Sequence, residues 1–390
     1  MKQKLASILL RRWVIIALIL IIVFGAYVRL VDYRWPYLRN IDSYNFARDI
    51  EDIISNHGAL PARNELAQAP FGVDRVISQD FYVYFAAYVY MFYHAATGTE
   101  MFQFLLLFPA LLGALLAVPM YFLVKTLYDK KAAVMAAAFI VFDTAIMART
   151  LAGDPDSDGI VLIMPLIVLA LYFMTYKISS AGFTKKTIIM SLLTGLSLAA
   201  WYYTWSGYWF VVWIITSFLL AKIVIRFFGT KKIMYSIRSF KTQIFSYAII
   251  IAILLLLTVP VFGASPIVST VTGPFSFQEI KSEAKTFPNV YVSVAELQAP
   301  GDAKEIINRI GMPFFFLVFS LIYLLYSFAK KRQHADIIIL LLIWFVGPFI
   351  ATLAAIRFTI LFSAPIAIGT GILFSKILRL TSGEDKSMDD

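Results

Sequence analysis

The chain has 390 residues, a formal net charge of +10 and a mean hydropathy of +0.78, and 60% of its residues are hydrophobic. Soluble domains are about 45–50% apolar, so this composition argues against a soluble protein. The chain contains no cysteine, which excludes disulfides and thiolate metal sites. Its three histidines are widely separated, which argues against a histidine metal cluster.

The first apolar run predicts a membrane anchor. Basic residues at positions 2, 4, 11 and 12 precede the run 13–28, as in a signal peptide. However, the run is long, and Arg29 and Tyr33 follow it without a small-residue cleavage pattern. We therefore expect the segment to remain uncleaved.

Long apolar runs continue along the chain and predict about ten transmembrane helices, because roughly 20 apolar residues cross a bilayer. The predicted spans are 13–30, 101–124, 132–149, 159–176, 187–204, 206–225, 243–263, 312–329, 337–353 and 357–378. The run Phe81–His94 is apolar but too short to span, so it predicts an interfacial or re-entrant helix. The fold class is therefore an all-α polytopic membrane protein.

The loops between these spans differ in charge. With the N-terminus inside, 22 of the 34 Lys and Arg residues fall on the inner side and 18 of the 24 Asp and Glu residues on the outer side. This pattern predicts a cytoplasmic N-terminus, and it explains the basic charge without nucleic-acid binding. Two outer loops, about 29–100 and 263–311, are too long to be simple turns, and long loops are usually functional.

Three acidic features fall on the outer side. Asp42 lies in Asn40-Ile41-Asp42-Ser43-Tyr44 shortly after the first span, where an ordinary interpretation is a helix N-cap. Glu296 lies in Ser293-Val294-Ala295-Glu296 in the second long loop, where a surface charge is the ordinary interpretation.

The third acidic feature is Asp154-Pro155-Asp156-Ser157-Asp158, between the third and fourth spans. Alternating carboxylates that repel one another can bind one hard divalent cation such as Mg²⁺ or Mn²⁺. An EF-hand loop is rejected, because its twelfth position would be Pro165 inside a span. A solvated turn is the alternative interpretation.

Arginines accompany these acids. Arg149 precedes the acidic cluster, Arg309 precedes the eighth span, and Arg357 lies at the outer turn between the last two spans. Such arginines either extend to the membrane interface or bind an anion. Since no other charge lies near Arg357 in the sequence, it needs a partner, and a phosphate suits its planar fork. Carboxylates, a cation and arginines at a bilayer surface together favour a phosphate-bearing lipid substrate.

These motifs, in this order, resemble those of the catalytic subunit of oligosaccharyltransferases of the archaeal and bacterial single-subunit type. Residues 40–44 resemble the family's first acidic motif, and Arg149 to Asp158 its second. Residues 293–296 resemble the short loop motif that ends in glutamate, and Arg357-Phe358-Thr359 the later arginine turn. The resemblance implies a C-type glycosyltransferase membrane fold with a transmembrane catalytic domain at 1–380. In the predicted topology, residues 381–390 form a short cytoplasmic tail.

The resemblance also implies an activity and site residues. The glycan of a polyprenyl- or dolichyl-linked phosphate or diphosphate is transferred to the asparagine amide of an Asn-x-Ser/Thr acceptor polypeptide. Asp42, Asp156, Asp158 and Glu296 would bind Mn²⁺ or Mg²⁺, and Asp42 and Glu296 would hold the acceptor amide. Arg149, Arg309, Arg357 and Asp154 would bind substrate. The active site would lie on the extracytoplasmic face of the cell membrane.

One departure from the family concerns acceptor recognition. Members carry a soluble external domain with a Trp-Trp-Asp-Tyr-Gly motif, whereas the seven tryptophans here are never adjacent. Three explanations stay open: a fragment, a separate soluble acceptor-recognition subunit, or another acceptor. A related transferase that uses a hydroxyl or lipid acceptor is the alternative function. Transport is disfavoured, because the charges cluster at one face rather than within the spans.

Overall fold

The computed structural model describes residues 2–31, 34, 36–75, 80–282 and 297–383, without side chains for 2–11 and 276–282. This part of the chain is almost entirely helical. Its α-helices are α1 (Lys2–Arg29), α2 (Ile41–Ser55), α3 (Phe81–Thr97), α4 (Met101–Leu115), α5 (Ala117–Leu127), α6 (Lys130–Val141), α7 (Thr144–Ala148), α8 (Asp158–Ser179), α9 (Lys185–Tyr202), α10 (Trp209–Thr230), α11 (Ile233–Ser239), α12 (Lys241–Phe262), α13 (Ser265–Ser282), α14 (Ala303–Ile310), α15 (Pro313–Lys331), α16 (Ala335–Ala354) and α17 (Ser363–Thr381). Short 3₁₀ helices cover Ser206–Tyr208 and Ile356–Phe362, and β1 (Arg63–Asn64) pairs antiparallel with β2 (Val73–Asp74).

Eight helical segments of the described chain are long and apolar enough to cross a membrane. They are Arg12–Arg29, Met101–Leu127, Asp158–Ser179, Ser206–Thr230, Lys241–Phe262, Pro313–Lys331, Ala335–Ala354 and Ile356–Thr381. Each of them coincides with a predicted span. The prediction of an all-α polytopic membrane fold is therefore confirmed.

The two other predicted spans, 132–149 and 187–204, are helical but differ from the first eight. The first is divided, because α6 ends at Val141 and Asp143 caps α7 by accepting the Ile146 N–H at 3.0 Å. Aspartate competes in this way with the backbone bonds of a continuous helix. The second, α9, begins with two lysines, which lower its mean hydropathy. Both nevertheless belong to the bundle: α6 packs against α5 and α17, and α9 packs against α8 and α12.

Small residues allow these helices to approach closely. A Cβ on Gly371 of α17 would lie 2.6 Å from the backbone nitrogen of Ala136 in α6. A Cβ on Gly195 of α9 would lie 2.8 Å from the Ile253 Cβ in α12. Membrane helices gain association energy mainly from such close packing, since lipid is as apolar as the helix surface.

The described part of the first long predicted loop, residues 36–75, is folded. Its helix α2 packs against α3 and buries Ile50 and Ile53 completely. Arg75 closes the segment by pairing with Asp49 at 2.7 Å and Asp52 at 2.6 Å. The predicted interfacial run Phe81–His94 forms α3, which is not among the eight segments that could cross a membrane.

The two ends of the helix bundle differ in charge. At one end, here called the acidic end, α2 and α8 begin at Ile41 and Asp158, and the 3₁₀ helix 356–362 precedes α17. At the other, the basic end, α8, α15 and α17 terminate near Lys177, Lys331 and Arg379. All described candidate site residues lie at the acidic end.

Candidate functional site

The loop between α7 and α8 carries the second acidic motif, and backbone hydrogen bonds fix its conformation. The Ala152 N–H donates to the Arg29 carbonyl at 3.0 Å, and the Gly153 N–H donates to the Leu106 carbonyl at 2.9 Å. The Gly153 carbonyl accepts the Arg39 N–H at 2.7 Å. Gly153 has φ +81°, a conformation that favours glycine, and an added Cβ would lie 3.3 Å from the Tyr37 carbonyl.

Arg29, at the end of α1, is fully buried beside the start of this loop. Its guanidinium donates to Thr150 Oγ1 at 2.8 Å and to the carbonyls of Gly25 at 2.9 Å and Val141 at 2.6 Å. It therefore joins α1, α6 and the start of the acidic loop. Sequence reasoning treated Arg29 only as the flank of the first span. An arginine at the end of an apolar run is either buried in the protein or exposed at the membrane interface, and the run alone does not distinguish these two cases.

The structure brings the first two acidic motifs together. The hydroxyl of Ser43, a buried residue in the first turn of α2, donates to Asp154 Oδ1 at 2.8 Å. The N-cap of α2 is Asn40, whose side chain accepts the Asp42 N–H at 3.1 Å. The interpretation of Asp42 as the N-cap is therefore wrong, because the neighbouring amide oxygen has that role. The Asp42 side chain is exposed and lies near enough to influence Asp156 electrostatically.

Asp156 lies in a partly buried environment that disfavours its charge. Burial raises the pKa of Asp156, and the charges of Asp154 and Asp42 raise it further. Hydrogen bonds from the backbone and hydroxyl of Ser157, the latter at 3.1 Å, lower the pKa by stabilising the carboxylate. The loop is also anchored to α3, since the buried Tyr82 hydroxyl donates to the Pro155 carbonyl at 2.7 Å. The carboxylate is thus held close to other acids at some energetic cost, as is common in functional sites.

The three predicted arginines and two of the acids line one cavity of about 440 Å³. Arg149 forms an ion pair with Asp158, with Nη1 3.5 Å from Oδ2. Arg309, from the last turn of α14, and Arg357, from the 3₁₀ helix, reach the same cavity. Asp154 completes the set of charged residues lining it. The sequence predicted these residues individually, and the fold brings them together.

A second cavity adjoins the first one and is largely apolar. It shares Asp158, Arg357 and Ile360 with the charged cavity. Its other lining residues include Trp201, Trp205, Trp344 and Pro165. A ligand that contacts Arg357 would therefore have charged groups on one side and aromatic and aliphatic side chains on the other.

Glu296 and its motif, residues 293–296, lie outside the described residues. The described chain resumes at position 297, and the carbonyl of Gln298 accepts the Ile356 N–H at 2.9 Å. Ile356 directly precedes Arg357. The chain two residues beyond Glu296 is therefore attached beside the predicted phosphate-binding arginine.

The donors available for a metal are carboxylate oxygens. Within the described part of the chain, no group of three or more histidine, cysteine, aspartate or glutamate side chains is arranged to hold an ion. Asp42, Asp156 and Asp158 nevertheless supply oxygen donors at the same end of the bundle, and burial together with the charges of Asp154 and Asp42 raises the pKa of Asp156. Oxygen donors without imidazole or thiolate suit hard divalent cations.

Comparison with known proteins agrees with this geometry. A family described as "Oligosaccharyl transferase STT3, N-terminal" matches residues 13–386. A dolichyl-phosphooligosaccharide-protein glycotransferase of Methanococcus voltae is 24% identical over 319 residues, covering 73% of this chain and 34% of the relative. A relative of the same description from Pyrococcus furiosus is 26% identical and covers 64% of this chain and 25% of its own length.

Solved structures share the fold. The archaeal oligosaccharyltransferase AglB of Archaeoglobus fulgidus, in complex with an inhibitory peptide and a dolichol-phosphate, has a TM-score of 0.68 at 19% identity. The alignment covers 97% of this chain and 52% of that one. A structure of the Archaeoglobus fulgidus oligosaccharyltransferase with Zn and sulfate has a TM-score of 0.67 at 19% identity, covering 93% and 49% of the two chains.

The chain spans about a third of the length of the first curated relative and about half of the first solved structures it matches. The family match, by contrast, extends over nearly all of the chain and includes the described acidic and arginine residues. The family resemblance expected from the motifs is therefore confirmed, and the chain belongs to the STT3 oligosaccharyl transferase family, matching its N-terminal part.

Proposed function

We propose that this chain forms the membrane-embedded catalytic core of an oligosaccharyltransferase. It would move a glycan from a polyprenyl- or dolichyl-linked phosphate or diphosphate to the side-chain amide of asparagine in Asn-x-Ser/Thr acceptors. The observation that carries the proposal is the cavity in which Arg149, Arg309 and Arg357 adjoin carboxylates. The adjoining apolar cavity suits a donor that is both anionic and hydrocarbon-bearing. A relative described as a dolichyl-phosphooligosaccharide-protein glycotransferase and a solved structure in complex with a dolichol-phosphate support the same substrate class.

The arginines would act on the leaving group. Departure of the lipid-linked phosphate develops negative charge, and prepositioned cationic donors stabilise such charge most effectively. Arg357 touches both cavities and is therefore assigned to the phosphate. Arg149 is partly engaged with Asp158, so it can both orient that carboxylate and approach the donor.

The carboxylates would act on the acceptor. An amide nitrogen is a poor nucleophile, because its lone pair is delocalised into the carbonyl. Asp42 and Glu296 would accept its N–H bonds, orient it and weaken that delocalisation. Asp42 is exposed at the start of α2, where a polypeptide can reach it. Gln298 is attached beside Arg357, which supports a role for the preceding loop at this site.

A divalent cation held by Asp42, Asp156, Asp158 and Glu296 would supply positive charge to the phosphate and hold the carboxylates together. The oxygen-only donor set favours Mn²⁺ or Mg²⁺. The positive-inside pattern supports a cytoplasmic N-terminus and an extracytoplasmic acidic end. Recognition of the acceptor Ser or Thr would come from a region or a separate soluble subunit outside these 390 residues.

The test is transfer from a lipid-linked glycan to a fluorescent peptide, using full-length protein in membranes together with any co-purifying partner. We expect glycan on an Asn-x-Thr peptide and none on the matched Gln-x-Thr peptide, with mass spectrometry identifying the modified atom. EDTA should abolish transfer and Mn²⁺ or Mg²⁺ should restore it. Glycan on a hydroxyl or lipid instead of asparagine would replace the proposal with the alternative transferase.

The variant Arg357→Gln sharpens the test. Loss of one charge-stabilising donor should lower the transfer rate by roughly 10²–10³-fold, with little change in thermal stability. Arg226→Gln is the matched control, because that arginine is exposed on α10, away from both cavities. Full activity of the Arg357→Gln protein would contradict the assigned role.

A further inference from the structure

Polar contacts satisfy the backbone on both sides of the break between α6 and α7. Helix α6 ends at Val141, and Asp143 caps α7 by accepting the Ile146 N–H at 3.0 Å. The Val141 carbonyl accepts a hydrogen bond from Arg29 at 2.6 Å, and Arg29 lies close enough to Asp143 to interact with it electrostatically. Because backbone groups buried without partners are costly, a break with these contacts is a stable part of the fold.

Helix α7 forms part of the wall of the charged cavity. Its residues Thr144, Ala145 and Ala148 line that cavity, and so does Arg149, which is the C-cap of α7. The cap at Asp143 fixes the residue at which this helix begins. Asp143 therefore influences where the chain presents Arg149.

Asp143 also contacts the segment that carries Arg357. The hydroxyl of Ser363 donates to Asp143 Oδ1 at 3.0 Å. Ser363 is buried and begins α17 directly after the 3₁₀ helix 356–362. At the start of that 3₁₀ helix, the Ile356 N–H donates to the Gln298 carbonyl at 2.9 Å. The short helix that contains Arg357 is thus attached at both ends, and one attachment is the Asp143 carboxylate.

One carboxylate oxygen therefore joins the two segments that bring arginines to the cavity. Asp143 Oδ1 accepts both the cap bond of α7 and the hydrogen bond from Ser363. Asp143 is not among the described residues that line the charged or the apolar cavity, so its effect on a ligand passes through its neighbours. A planar guanidinium donates in fixed directions, and a small displacement therefore weakens its bonds to phosphate.

We propose that Asp143 is a positioning residue for the lipid-linked donor. Through Ser363 it holds the 3₁₀ helix, and thereby Arg357, in place relative to Arg149. This inference rests on the proposed binding of the donor phosphate by Arg357. Asp143 itself takes no part in the transfer of the glycan.

The test measures binding of dolichyl phosphate by native mass spectrometry, using the full-length protein with any co-purifying partner. Ser363→Ala should weaken binding roughly 2- to 30-fold, the range for substitutions that modulate coupling within a packed network. Asp143→Asn keeps an oxygen that can accept both hydrogen bonds and should retain most of the affinity. The matched control is Ser375→Ala, which should bind as the wild type does. It removes a fully buried hydroxyl from the same helix, and that hydroxyl has no hydrogen-bond partner within the described residues.

A double variant separates positioning from direct contact, since Ser363 itself lines the apolar cavity. If Ser363 acts through Arg357, Ser363→Ala should weaken binding much less in the Arg357→Gln protein than in the wild type. Losses that multiply in the double variant overturn the inference, as does an equal loss in Ser375→Ala or Asp143→Asn.

The same measurements distinguish this inference from the proposed function. Binding that depends on Arg357 but is unchanged in Ser363→Ala overturns the positioning role alone. Binding that does not depend on Arg357 contradicts both the phosphate role of that arginine and the positioning role of Asp143.

Discussion

The acidic residues at the two ends of the bundle have different partners. At the basic end, the acids of the described residues are neutralised by direct ion pairs: Asp336 binds Lys177 and Lys222, each at 2.8 Å, and Asp129 binds Arg379. At the acidic end Asp156 lies beside other carboxylates, and its pKa is raised by burial and by their charges. Ion pairs of the first kind hold helices together, whereas the second arrangement crowds like charges, as is common in functional sites.

The largest effect on stability is expected from Arg29, which supports the acidic end. Arg29→Met would leave the carbonyls of Gly25 and Val141 without their buried donor. We expect a loss of about 3 kcal/mol in the free energy of unfolding, because unsatisfied buried polar groups are costly. Thermal unfolding in detergent measures it. Arg29→Lys keeps the charge and should lose less of the free energy of unfolding. An unchanged melting temperature for Arg29→Met would contradict the structural role of Arg29.

A pair of matched substitutions tests the contrast between the ends. Asp336→Asn should destabilise the protein by about 1 kcal/mol, since two lysines lose their shared carboxylate at a partly exposed site. Asp156→Asn, measured with a chelator present, should be neutral or stabilising, because burial disfavours the ionised side chain. Equal destabilisation by both substitutions would show that Asp156 and Asp336 contribute equally to stability and would contradict the contrast.

The smallest predicted effect is a pH dependence at the basic end. Burial lowers the pKa of His334 below 6.5, and Arg379 lowers it further, whereas Asp129 raises it. The unfolded chain therefore binds the proton more readily than the folded one, so His334 stabilises the fold fully above about pH 6.5 and progressively less below it. His334→Asn should remove this dependence while tolerating the local φ of +66°. Melting temperatures across pH 5–8 measure it, and an unchanged slope in the variant would exclude His334 as its source.

The fold was largely predictable from the sequence, because each membrane-spanning helix corresponds to one long apolar run. Apolar runs of about 20 residues identify spans without knowledge of their neighbours. The failure at 132–149 came from Asp143, whose cap on α7 divides the predicted helix. A single aspartate inside an apolar run can divide a helix, because its side chain competes with the helix backbone.

The site was predictable in its residue types but not in its supporting contacts. The motifs identified Asp42, Asp154 and Arg357 from order and chemistry. They did not identify Ser43 as the residue joining two motifs, or Arg29 as the buried support of the loop. Those contacts span more than 100 residues of sequence, so only the folded chain reveals them. The site roles of Asp42, Glu296 and the arginines remain predictions for the experiments above.

The start of the acidic loop, at Ala152 and Gly153, is held by main-chain bonds that involve no carboxylate. Its geometry is therefore largely separable from its chemistry. Asp156 can be exchanged for Asn, Glu or Ser one side chain at a time, while the backbone bonds keep the loop in place. Single substitutions in this loop can therefore change its charge while the scaffold stays the same.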